Sequence, residues 1–205
     1  MNVISILKKV GAIITDGHFV GTSGRHMSTY INKDRLISHP KYTKEVGKLF
    51  ANKFKHKNIE VVVAPAVAGI ALSQWTAFYL SNKKKEVLSV YTEKTPENQQ
   101  ILKRGYDNLI KDRRVLIIDD IATKGSSLKK VINTAKKAGG EVIAACVMVN
   151  RDPKLVNSKS IRVSFSSLTV FKVPSYKKKD CPLCKKGIPI NTFLGHGKVI
   201  QDYTS

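Results

Sequence analysis

Arg114–Ala138 reads RVLIIDDIATKGSSLKKVINTAKKA, and its pattern changes twice along the way. Arg114–Asp119 is a run of branched apolar residues with no polar alternation, which marks a strand buried on both faces, as in a parallel sheet. From Ser127 to Ala138, Leu128, Val131, Ile132, Ala135 and Ala138 recur at helical spacing, and Gly139-Gly140 stops the helix. Working outward, Glu141–Val149 (EVIAACVMV) is the next strand. Upstream, Glu60–Ala64 (EVVVA) is a strand closed by Pro65, Gly69–Leu80 is an apolar helix and Glu86–Tyr91 is another strand. Strands alternating with helices predict an α/β fold: a Rossmann-like parallel sheet of about five strands flanked by helices, with right-handed crossovers.

The turn between strand and helix carries chemistry. In such sheets ligands gather at the carboxyl ends of strands, and here the strand runs straight into Asp119 and Asp120. Thr123, Lys124, Gly125, Ser126 and Ser127 follow, supplying hydroxyls, a cation and a glycine at a helix N-terminus, the ingredients of an anion nest. Two carboxylates would repel a phosphate beside them, so they call for a neighbouring hydrogen-bond donor, such as a pair of ribose hydroxyls, or for a divalent cation. A sugar phosphate satisfies both halves. The chain has no G-x-x-x-x-G-K-[ST] loop and no G-x-G-x-x-G after a strand, which argues against a nucleotide triphosphatase or a nicotinamide dehydrogenase.

The flanks are less regular. Residues 2–14 are predicted as a short helix, 18–34 as loop and short strand, and 40–56 as a helix opened by Pro40. Thr92–Lys111 is long and polar with no clear period, and Ile161–Val173 reads as one or two further strands. These boundaries suggest one domain over residues 1–175 and a cysteine-containing appendage over residues 176–205.

The 205 residues carry 36 lysines and arginines against 15 acids, a formal charge of +21, so polyanions are natural partners and nucleic acid is one of them. The alternative is a generally lysine-rich chain, because the lysines are scattered. No apolar run approaches a membrane span, and three cysteines make no disulfide framework, so a cytoplasmic location is expected.

Val115–Ser127 closely resembles the binding signature for 5-phosphoribosyl 1-pyrophosphate (PRPP) of type I phosphoribosyltransferases. Gly17–Asp34 (GHFVGTSGRHMSTYINKD) is similar to the N-terminal hood of the orotate branch, and Ala64–Leu72 (APAVAGIAL) to its pyrophosphate loop. The resemblance implies a PRPP-dependent transferase that joins orotate to the ribose and releases pyrophosphate. It places the ribose hydroxyls on Asp119 and Asp120, the 5-phosphate on Ala122–Ser127, and the pyrophosphate by Ala66, Val67 and Ala68. Thr123, Tyr30 and Arg151 would meet the base, Arg151 pairing with the orotate carboxylate. Glu93, Lys94, Lys103 and Arg104 are the charged residues where the family has a mobile catalytic loop. Mg²⁺ as cofactor and a homodimer are also implied.

The chain departs from that branch at three places. Thr22 stands where a lysine is usual, Val67-Ala68 where Tyr-Lys is usual, and TEKTPENQQILKRG lacks the histidine of the usual R-K-x-x-K-x-H-G. Two alternatives therefore stay open: a transferase for another, purine-type base, and a PRPP-sensing regulator that binds nucleic acid without catalysis.

Cys181-Pro-Leu-Cys184 has the spacing of half a zinc knuckle, with His196 as a candidate third ligand for a structural Zn²⁺. The alternative is a reduced surface pair. His18, His26, His39 and His56 show no metal-binding spacing in the sequence.

Overall fold

The computed structural model describes residues 1–21 and 23–195. Helix α1 (Val3–Lys9) is followed by the short strands β1 (Ile13–Ile14), β2 (Phe19–Val20), β3 (His26–Met27) and β4 (Tyr30–Ile31), then by helices α2 (Lys33–Ile37) and α3 (Pro40–Phe54). The regular part is β5 (Val61–Pro65), α4 (Ala68–Leu80), β6 (Leu88–Lys94), β7 (Gln100–Ile101), α5 (Tyr106–Ile110), β8 (Arg114–Ala122), α6 (Ser126–Lys137) and β9 (Glu141–Asn150). Helix α7 (Ser158–Ile161), β10 (Phe165–Val170) and α8 (Pro182–Lys185) follow among the described residues.

One sheet organises the molecule, with strand order β10-β9-β8-β5-β6-β7. Its first five strands are parallel and β7 joins antiparallel to β6, so the predicted parallel sheet of about five strands is present with one added edge strand. Successive strand side chains point to opposite faces. Accordingly Val62, Ala64, Leu116 and Ile118 enter one core with α1, α3 and α4, while Val61, Val63, Val115 and Ile117 enter a second core with α6. Every residue of β5 is buried, as its unbroken apolar run requires. The chain leaves β5 and β8 in opposite directions across the sheet, so a crevice opens between their carboxyl ends.

Several boundaries differ from the sequence reading. Helix α1 ends at Lys9 because the N–H groups of Gly11 and Ala12 turn back to the carbonyls of Lys8 and Leu7. The predicted helix over 2–14 therefore gives up its last residues to β1, which pairs with β4. Strand β8 continues beyond the carboxylates to Ala122, still paired with β9. The segment 92–111 is not irregular: it closes as the β6–β7 hairpin and then α5. Gln100 holds that hairpin, its side chain accepting from Thr92 Oγ1 at 2.6 Å and its carbonyl from Thr134 Oγ1 on α6 at 2.7 Å.

Helices α3 and α4 cross closely at Gly47. A Cβ there would lie 2.4 Å from the Cβ of Trp75 and 2.9 Å from its carbonyl carbon. Gly47→Ala is therefore expected to lower stability by about 1–3 kcal/mol through overpacking, against a helix-propensity gain of about 1 kcal/mol. Urea denaturation measures this, and an unchanged midpoint would show that the helices can separate without cost.

Candidate active site

Strand β8 delivers Asp119 to the crevice and the turn Thr123–Gly125 carries the chain into α6. Gly125 has φ +70, and a Cβ on it would meet Ile161 Cδ1 at 2.8 Å, so both backbone and space call for glycine. Val156 and Ile161, from the segment after β9, back this turn from below. No side chain caps α6 and its first turn holds no acid, which leaves its N-terminal N–H groups and dipole for an anion.

A cavity of about 550 Å³ opens over this turn, lined by Asp119, Ile121 and Ala122 from β8 and by Thr123, Lys124, Gly125, Ser126 and Ser127. Lys94, Asn98 and Gln100 of the β6–β7 hairpin close one side, with Lys130 of α6. Gly21, Ser23, Arg25 and Met27 of the N-terminal segment, with Arg151 and Ser175, close the other. Arg25 ties that wall to the tail: its Nε donates to Ser175 Oγ at 2.9 Å and its Nη2 to the Ser175 carbonyl.

Asp119 is buried and accepts from the Asp120 N–H at 2.8 Å, and Asp120 accepts from the Ile121 N–H. Burial, then the neighbouring Asp120 charge, pushes the Asp119 pKa well up. Burial raises Asp120 as well, opposed chiefly by Lys33, whose Nζ lies 3.9 Å from its Oδ2. Two crowded carboxylates of this kind are eased by hydroxyl donors or by a cation.

Arg151 is the other unsatisfied group. Its backbone N–H donates to the Ala122 carbonyl, which fixes it beside β8. One guanidinium nitrogen reaches only the Met27 sulfur, at 3.4 Å, and the buried Nε has no hydrogen-bond partner among the described residues. Burial pushes its pKa down. Among the described residues this half-buried guanidinium has no ion-pair partner, a cost that an anionic ligand in the cavity would offset.

The remaining sequence candidates fall elsewhere. Lys103 and Arg104 both pair with Glu93, Lys103 at 2.9 Å, and Arg104 also stacks 5.8 Å from the Tyr91 ring; neither lines the cavity. Tyr30 packs against Phe19 with ring centroids 5.5 Å apart and is not among the lining residues. Ala66, Val67 and Ala68 lie at the end of β5 and the start of α4, Val67 with 81% of its surface exposed, outside the lining set. Thr22 and His196 lie outside the described residues. The sequence reading did not single out Arg25, Gln100 or Lys130 for the cavity. Lys130 was findable, because it stands one helical turn beyond Ser126 and Ser127.

Cys181 is fully buried rather than on the surface, and its pair lies against His18 and His26. The alternative of a surface cysteine pair is corrected for Cys181, and two histidines whose spacing carries no metal signature stand beside the pair, because the β2–β3 hairpin and the tail fold together.

Asp119 on β8, a glycine turn into an uncapped helix and a doubly wound parallel sheet form a site suited to a sugar phosphate, with Asp120 next to it but not among the cavity's lining residues. Residues 32–178 match the phosphoribosyl transferase domain family. The chain is 34% identical over 188 residues to an orotate phosphoribosyltransferase of Caldanaerobacter subterraneus subsp. tengcongensis, covering 92% of this chain and 93% of that one. It is 37% identical over 186 residues to the orotate phosphoribosyltransferase of Thermotoga maritima, covering 90% and 92%. The crystal structure of orotate phosphoribosyltransferase from Aeropyrum pernix superposes with a TM-score of 0.65 at 25% identity, over 82% of this chain and 93% of that chain. The chain belongs to the type I phosphoribosyltransferase family, in the branch of the orotate phosphoribosyltransferases.

Proposed function

We propose that the protein transfers the 5-phosphoribosyl group of PRPP to orotate, giving orotidine 5′-monophosphate and pyrophosphate. The observation that carries the choice of base is Arg151, a half-buried guanidinium whose buried Nε has no hydrogen-bond partner among the described residues, in the same cavity as Asp119 and the Thr123–Ser127 turn. A carboxylated base supplies the missing anion. The relatives named for this reaction cover nearly the whole chain.

In this reading the 5-phosphate lies on the α6 N-terminus, held by the N–H groups and hydroxyls of Thr123–Ser127, and the ribose hydroxyls donate to Asp119 and Asp120. The orotate ring nitrogen forms the new bond to the anomeric carbon as the bond to pyrophosphate breaks. Positive charge on the sugar and negative charge on the leaving oxygen grow together, so catalysis rests on positioning and electrostatics. Asp119 beneath the sugar and the cations Lys94, Lys130 and Arg25 around it suit those two charges. The crowded carboxylates also fit Mg²⁺, a hard cation that takes oxygen ligands. When bound with pyrophosphate, it would neutralise part of the leaving group's charge. A homodimer belongs to the same reading through family membership.

Competition among bases tests the assignment. Pyrophosphate release from PRPP and Mg²⁺ is measured with orotate, uracil, adenine and hypoxanthine. Orotate is expected to give turnover at least about 100-fold above uracil, which lacks only the carboxylate, as a desolvated charge pair implies. Equal rates with both pyrimidines, or turnover with a purine alone, would overturn the orotate assignment.

A further inference from the structure

Four metal-ligating side chains from opposite ends of the chain meet behind the cavity wall. His18 and His26 stand at the β2–β3 hairpin, and Cys181 and Cys184 at the start of α8. One ring nitrogen of each histidine and both sulfurs lie within 4.8 Å of one another. His18, His26 and Cys181 are buried and Cys184 is half-buried. Among the described residues no other group of three or more such side chains comes together in this way.

We propose that His18, His26, Cys181 and Cys184 hold one structural Zn²⁺ ion that ties the N-terminal hairpin to the C-terminal tail. Two thiolates and two imidazoles are the set that selects a tetrahedral zinc site. With Zn–S near 2.3 Å and Zn–N near 2.0–2.1 Å, tetrahedral geometry asks for N···S separations of roughly 3.6 Å and N···N of roughly 3.3 Å. Cys181 Sγ and Cys184 Sγ each lie 3.8 Å from His18 Nε2, and Cys184 Sγ lies 3.4 Å from His26 Nδ1. The two imidazole nitrogens, 2.7 Å apart, would open by about 0.6 Å to admit the ion.

The surroundings favour the same assignment. His18 Nδ1 lies 2.7 Å from the Ile188 carbonyl and donates to it, so the lone pair of Nε2 faces the cluster. This outer hydrogen bond fixes the tautomer that a metal requires. The tail is shaped around the site: the Lys185 N–H donates to the Cys181 carbonyl and the Gly187 N–H to the Cys184 carbonyl, while the Asn191 N–H returns to the His18 carbonyl at 2.7 Å. Thiols are weak hydrogen-bond donors and acceptors, so without an ion the two buried imidazole nitrogens have only each other as a strong partner, at 2.7 Å.

The ion would close a loop spanning nearly the whole chain, where a cross-link restricts the unfolded state most. It would also stiffen the cavity wall, because the hairpin carries Arg25 and Met27 and the tail carries Ser175. It is remote in role from Mg²⁺ and does not depend on which base is used.

The test is metal analysis of the full-length chain, grown with added zinc and purified without chelator. Mass spectrometry of the metal is expected to find about one zinc per chain, lost in Cys181→Ser/Cys184→Ser and in His18→Gln/His26→Gln. Because those variants can misfold, Co²⁺ is also titrated into the stripped parent chain, where visible ligand-field and thiolate charge-transfer bands of tetrahedral cobalt are expected. Removing zinc with a chelator and restoring Mg²⁺ alone should lower the melting temperature, and zinc should bring it back. Protein free of zinc with no cobalt bands would overturn the proposal. So would zinc content unchanged in folded variants lacking both cysteines, or a Cys181–Cys184 disulfide in protein purified under reducing conditions.

Discussion

Arg151→Met is expected to lower kcat/KM for orotate by about two to three orders of magnitude, roughly 3–4 kcal/mol and within the range for truncating one partner of a desolvated charge pair. The loss should fall mainly on orotate. With uracil, whose ring offers the guanidinium no carboxylate, Arg151→Met should change the slow rate only a few-fold. Stability should move the other way. In the free protein the buried Arg151 Nε has no partner among the described residues and Nη2 meets only the Met27 sulfur, so an uncharged side chain of similar length relieves a poorly paired charge. The free variant should therefore melt at the same temperature as the parent or higher. Steady-state kinetics with both bases and a thermal melt check this. An equal loss with orotate and uracil would remove the carboxylate role from Arg151.

Asp119→Asn combined with Asp120→Asn should abolish PRPP-dependent thermal stabilisation and cut turnover by at least ~100-fold, in line with the removal of a group aimed at developing charge. In the absence of ligand the same variant should be more stable than the parent at neutral pH. Burial raises both carboxyl pKa values in the folded protein, and the Asp120 charge adds to the rise at Asp119, which is the larger. A raised carboxyl is penalised only when ionised. The penalty is absent below the unfolded-state pKa, grows as pH rises through the raised folded value, and is complete above it. The stability gap between variant and parent should therefore open with rising pH and close in acid. Chemical denaturation across that range measures it. A parent more stable than the variant at neutral pH would mean that Lys33 and the backbone N–H groups outweigh the burial of the pair.

The parts of this architecture governed by local pattern were legible in the sequence. The unbroken run Val61–Ala64 became a fully buried central strand, and the face of Leu128, Val131, Ile132 and Ala135 became the buried side of α6. Asp119 and the turn Thr123–Ser127 line one cavity because a strand, a turn and a helix within so few residues leave little freedom. Arg151 was legible because it follows the next parallel strand at the same edge of the sheet.

What escaped the sequence reading depends on partners far away in the chain. Strand β8 runs past its two acids because β9 pairs with it as far as Asn150, a fact with no signature in DDIA itself. The β6–β7 hairpin is only two residues long on its return strand and is held by Thr92, Thr134 and Lys130 rather than by its own propensity. Lys103 and Arg104 are drawn to Glu93, ten and eleven residues earlier, rather than to the cavity. His18 and His26 are eight residues apart, a spacing with no metal signature, and only the pairing of Phe19 with Met27 and of Val20 with His26 brings them together. Cys181 and Cys184 reach them from the other end of the chain through the bridge between Tyr176 and His26.

The measurement that bears most directly on the assigned reaction is identification of its products from the parent protein with PRPP, Mg²⁺ and orotate. Mass spectrometry with pyrophosphate quantified in parallel is expected to show orotidine 5′-monophosphate and pyrophosphate formed one for one, each as orotate is consumed. Pyrophosphate released without the nucleotide, or PRPP left intact beside orotate while still stabilising the protein, would contradict the assignment.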